Sequence, residues 1–137
     1  MNTTRETDSG PVGIEPPNKL LPPAVFQRWV HAHEEDGDGI EVYKPFGTPL
    51  PVAFARDGFE MRKDGRFVQD VIAPADGVVR VPGHWRPIGP RKVAASFASD
   101  RVEDYAFEIV SVEATLLRRR LIRMPDAASG GPAGGRP

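Results

Sequence analysis

A chain of 137 residues carrying 18 basic and 19 acidic side chains has a net charge of −1, so charge alone draws it neither to nucleic acid nor to a membrane surface. It has no cysteine, which excludes disulfide staples, zinc–thiolate sites and thiol catalysis. It shows no basic-apolar leader and no apolar run of membrane-spanning length, so a cytoplasmic location is expected.

Residues 1–18 are polar and broken by Gly10-Pro11 and Pro16-Pro17, and residues 125–137 form a Gly/Pro-rich run. Neither end buries enough apolar surface to offset its ordering entropy, so both are expected to be disordered tails. Residues 19–124 remain as one domain with one core. The abundance of Arg, Ala, Gly and Pro fits a GC-rich bacterial genome.

Pro22-Pro23 leads into a single helical turn at 24–28, and a first strand is expected from Trp29 to about Glu35. Asp36-Gly37-Asp38-Gly39 is an open turn, and Ile40–Tyr43 a short strand ended by Lys44-Pro45. Residues 45–57 hold Pro45, Gly47, Pro49 and Pro51, which predicts a loop crossing an edge or an opening.

A hairpin follows, over about 58–63 and 66–72. A three-residue Lys63-Asp64-Gly65 loop, with Gly65 left-handed, sets Met61 opposite Phe67 and Phe59 opposite Gln69. A two-residue Asp64-Gly65 turn would instead set Met61 opposite Val68. The first register gathers Phe59, Met61 and Phe67 on one face and is preferred, because burying them together stabilises by several kcal/mol.

Residues 73–77 are the next turn, and a strand from Val78 to Arg86 is expected to break at Pro82-Gly83. Lys92–Phe97 and Asp104–Val112 are two more strands, the second placing Tyr105, Phe107 and Ile109 on one face. The last element, Leu116–Met124, reads as a strand, although its residues are mostly good helix formers.

Short strands at about ten-residue spacing, each joined to the next by a turn, predict an all-β chain folded as a single small antiparallel up-and-down barrel. Four features then carry a resemblance: Trp29 on the first strand after a short turn, the Asp64-Gly65-x-Phe67 hairpin, Gly83-His84-Trp85, and Tyr105-x-Phe107-x-Ile109 before a final Leu/Arg strand. On these the chain resembles small bacterial lipocalin-like domains of the calycin type over about residues 20–123. It departs from that family at Gln27, where a glycine commonly stands two residues before the tryptophan. The resemblance implies that an arginine of the last strand, Arg119 or Arg120, packs over Trp29.

His31-Ala32-His33 with Glu35 would share one face of a strand and offer two imidazoles and a carboxylate to a metal. The third histidine, His84, lies far along the chain and no fourth ligand is evident, so a solvated or hydrogen-bonded strand end is preferred. Asp36-Gly37-Asp38-Gly39 resembles part of a calcium loop but has Gly47 at its twelfth position, where glutamate is needed. No metal and no cofactor are expected. The acidic residues Glu34, Glu35, Asp36, Asp38 and Glu41 contrast with Arg118, Arg119, Arg120 and Arg123. Pairing of first and last strands would set them opposite each other, worth about 0.2–1 kcal/mol per good pair. An arginine patch that binds anions or nucleic acid is the less favoured reading.

The aromatic-rich interior either fills a solid core or lines a cavity, and composition leaves both open. In the second case Trp29, Tyr43, Phe59, Met61, Phe67, Gln69, His84, Trp85 and Tyr105 are the candidate ligand-binding residues, with Tyr43, Gln69, His84 or Tyr105 orienting a small apolar or aromatic molecule. Gly83 would leave room beside the Trp85 indole. The chain has no Gly-x-Ser-x-Gly, phosphate loop or dinucleotide fingerprint. A lipocalin-like binding barrel is therefore the first reading. A cavity-based cyclase or isomerase of bacterial secondary metabolism and a non-catalytic accessory protein for a protein partner are the alternatives. No nucleic-acid or membrane partner is expected.

Overall fold

The computed structural model describes residues 21–75 and 77–125. The expected tails, 1–18 and 125–137, lie outside the described residues except for Pro125. Eight strands follow in order: β1 (Arg28–His31), β2 (Glu41–Pro45), β3 (Gly58–Met61), β4 (Arg66–Ala73), β5 (Gly77–Gly89), β6 (Lys92–Phe97), β7 (Tyr105–Glu113) and β8 (Leu116–Ile122). Two 3-10 turns, Pro23–Val25 and His33–Glu35, stand beside β1.

The strands close into one antiparallel barrel, and β3 to β8 run up and down as consecutive neighbours. The start of the barrel departs from that order. β1 lies between β2 and β3, and β2 rather than β1 pairs with β8. Both β2 and β3 are antiparallel to β1, so residues 46–57 must return along the barrel to connect them. This is the expected crossing loop. Its Phe46 ring packs on the Arg28 guanidinium, 3.7 Å away.

The hairpin register follows the three-residue turn: Met61 pairs with Phe67, Phe59 pairs with Gln69, and Gly65 has φ +96°. β8 is a strand, and its alternation sends Leu117 and Arg119 inward. Three local expectations are corrected. β1 ends at His31, because the Asp36 carboxylate accepts from both His31 Nε2 and the Val42 amide and turns the chain back over β2. β5 is unbroken at Pro82-Gly83, since β6 pairs only as far as Gly83–Phe97 and Pro82 falls just past the end of that ladder. The space at Gly83 is taken by the Phe97 ring, which a Cβ there would meet at 2.5 Å.

The interior is packed along most of its length. Trp29, Phe59, Met61, Phe67, Phe107 and Leu117 are essentially without solvent contact. Phe59 and Phe67 stack with centroids 5.6 Å apart, and Phe107 packs on both. One end is sealed by buried Val25 and by two indoles that bond to backbone: Trp29 Nε1 donates to Val25 O and Trp85 Nε1 to Arg62 O. The other end carries the polar interior.

Candidate functional site

The β2–β8 register places Glu41 opposite Arg119, the pair that closes the barrel. Period-two alternation then turns Arg119 inward, and only 3% of it remains exposed. Its Nε donates to Glu41 Oε1 at 2.9 Å, its Nη1 to the Tyr105 hydroxyl at 3.0 Å and its Nη2 to the Tyr43 hydroxyl at 2.8 Å. Tyr43 in turn donates to Glu41 Oε1, and Tyr105 to Gln69 Oε1 at 2.6 Å. Four rings surround the guanidinium at 4.6–5.1 Å: Tyr43, Phe59, Tyr105 and Phe107. These contacts offset much of the cost of burying a charge.

Burial alone would lower the Arg119 pKa, but the oxygens of Tyr105, Tyr43 and Glu41 outweigh it and raise it further, so Arg119 is a permanent cation. Burial pushes both Tyr43 and Tyr105 up, which keeps them neutral phenols at any ordinary pH. The network thus offers fixed donors and acceptors but no phenolate base.

Beside it, His31 stacks on Tyr43 with centroids 4.6 Å apart. Its Nδ1 bonds Asp57 and its Nε2 bonds Asp36, both at 2.8 Å. Two carboxylates on the two ring nitrogens match an imidazolium. Burial would lower the His31 pKa, yet Asp57 and then Asp36 outweigh it and raise it. Both ring nitrogens are therefore occupied, and His33 has left the strand for an exposed 3-10 turn. No group of three or more metal-ligating side chains gathers among the described residues.

Above this floor a cavity of about 420 Å³ opens at the barrel mouth. Glu41, Asp57, Gln69, Tyr105 and Arg119 form its polar base, Val71, Ile72, Val102 and Leu121 its apolar wall, and Arg101 and Glu103 stand on the loop beside it. A second cavity of about 360 Å³, over the 36–40 turn, shares Glu41 and Leu121 with the first.

The nine candidate residues fall into separate places. Gln69 and Tyr105 line the mouth cavity, and Tyr43 lies directly beneath it, bonded to Arg119. Phe59 and Phe67 are packed core below that level. Trp29, Met61 and Trp85 lie toward the sealed end, and His84 is exposed on the outer face of β5. Arg119 packs on Tyr43 and Phe59 rather than over Trp29, because Trp29 pairs with Pro45, four residues along β2 from the Glu41 that faces Arg119.

Arg119 and Glu41 carried a closure role in the sequence and Asp57 none, yet all three line the cavity. The inward phase of Leu117-x-Arg119-x-Leu121 was the available signal for Arg119. Asp57 ends an irregular segment and gives no periodic signal.

Compared with known proteins, the chain matches no family model, no curated protein and no solved structure. Among the described residues no helix is long and apolar enough to cross a membrane.

Proposed function

We propose that this chain is a lipocalin-like barrel that binds a small apolar or aromatic molecule at its open end. The observation that carries the reading is the mouth cavity itself. Apolar side chains wall it, a few convergent polar groups form its base, and the packed core below gives that base a rigid support. The ligand's apolar body would rest against Val71, Ile72, Val102 and Leu121. Its polar end would reach Gln69, Tyr105 and Arg119. Burial of Phe59, Phe67 and Trp29 against one another favours the mouth over the barrel centre as the seat. A bacterial, cytoplasmic setting belongs to the same proposal.

The test is a titration with N-phenyl-1-naphthylamine, a neutral aromatic probe whose emission rises in apolar surroundings. The wild type should give a saturable rise. Leu121→Lys, which replaces a half-exposed wall residue, should weaken it several-fold with little loss of stability. A non-saturable response in the wild type would overturn the reading.

A further inference from the structure

Resting on the binding reading above, we propose that the mouth selects a neutral ligand whose polar group both donates and accepts a hydrogen bond, such as an alcohol or a primary amide. The cavity contains spare capacity of both kinds. Three of the five Arg119 N–H groups are bonded, and the other two have no acceptor among the described residues. The Gln69 side-chain NH₂ has no acceptor among them either, its Oε1 being held by Tyr105. On the accepting side, both bonds to Glu41 fall on Oε1, and His31 holds Asp57 by Oδ1. Among the described residues no side chain donates to Glu41 Oε2 or Asp57 Oδ2.

The fixed charges of the polar base, by contrast, are already in ion pairs, and the two loop charges beside the cavity, Arg101 and Glu103, are exposed and of opposite sign. Arg119 faces Glu41 at 2.9 Å. His31 faces Asp57 and Asp36. Asp70, at the cavity edge, is held from the outer face by Arg28 and Arg80. A carboxylate ligand would bring an unmatched negative charge beside Glu41 and Asp57. An ammonium would bring a positive one beside a buried guanidinium. At the base each would be partly desolvated, where every charge already has an ion-pair partner and the exposed Arg101 and Glu103 are screened by water. A hydroxyl avoids both costs, because it can accept from Arg119 or Gln69 while donating to Glu41 or Asp57. A ligand without any polar group would leave those groups unsatisfied, which is the strongest basis a site has for rejecting an analogue.

Four molecules of nearly equal size separate these cases: 2-phenylethanol, 2-phenylethylammonium, phenylacetate and ethylbenzene. Each is titrated into ¹⁵N-labelled full-length protein and followed by amide shifts at Gln69, Val102 and Leu121. The alcohol should bind at least about tenfold tighter than each of the other three. In Glu41→Gln the site gains net positive charge, and phenylacetate should close most of its gap to the alcohol. Equal or tighter binding of either ion or of ethylbenzene overturns the selectivity. If N-phenyl-1-naphthylamine still saturates in that case, the binding reading stands without it. If neither the probe nor any of the four saturates, both fall.

Discussion

The Arg119 guanidinium spans the seam that closes the barrel and donates from Nη2 to the Tyr43 hydroxyl at 2.8 Å. The same guanidinium bonds Glu41 on that strand and Tyr105 on β7, so three strands meet on one buried cation. Structural closure and the polar base of the mouth are one set of contacts.

Removing only the cation should therefore be costly. Arg119→Met leaves Glu41 without its counter-charge and the Tyr43 hydroxyl without its donor, and should lower unfolding free energy by about 3 kcal/mol in urea titrations. Glu41→Leu with Arg119→Met removes the charge on both sides and should return to within about 1 kcal/mol of wild type. A single variant as stable as wild type would show that the seam does not depend on this pair.

His31 sets a pH dependence with a definite sign. Its pKa is raised by Asp57 and Asp36 against burial. Its stabilisation is present in full below the ordinary imidazole value near 6.5 and is lost as pH climbs through the higher folded value. Burial would raise the Asp57 pKa, but the hydrogen bond and charge of His31 hold it below the ordinary 3.8. The Asp57 share is thus present above 3.8 and lost as pH falls through the lowered value. Melting temperature should decline as pH is raised past 6.5, and His31→Gln should flatten that decline. An unchanged slope in the variant would place the titrating group elsewhere.

How much of this was legible in the sequence depends on the kind of signal. Asp64-Gly65 and the flanking apolar residues specified the β3–β4 register, because turn chemistry and burial both act locally. Tyr105, Phe107 and Ile109 showed their face by simple alternation. The placement of β1 between β2 and β3 was not legible, since the irregular stretch 46–57 says that it crosses but not what it crosses. Tyr105 and Gln69 were recognised as polar groups of an apolar lining. Arg119 reads as a seam charge because it stands in a run of arginines, and such a run usually faces water. Its burial depends on Glu41, Tyr43 and Tyr105, which arrive from other strands only once the barrel closes.

Two buried glycines should be intolerant of alanine for a reason separate from turn geometry. A Cβ at Gly58 would lie 2.2 Å from Trp29 O, and one at Gly83 would lie 2.3 Å from Ser96 O. Each contact is with backbone of a neighbouring strand, which cannot move aside without opening the ladder. Gly58→Ala and Gly83→Ala should each cost about 3 kcal/mol or more, whereas Gly37→Ala, with open space around it, should stay within about 0.5 kcal/mol of wild type. Chemical denaturation of the three variants checks the contrast, and a mild effect at Gly58 would mean that β1 and β3 are not so closely packed.

The most direct test of a mouth site above a packed barrel is to map where a ligand is felt. In ¹H–¹⁵N spectra titrated with N-phenyl-1-naphthylamine, saturable shifts should appear at Gln69, Val102, Tyr105, Leu121 and the Arg119 Nε–H. The indole N–H signals of Trp29 and Trp85 should stay in place, because both are bonded to backbone toward the sealed end. Saturable movement of those two indole signals, with the mouth residues unchanged, would contradict a mouth site and place the ligand inside the barrel.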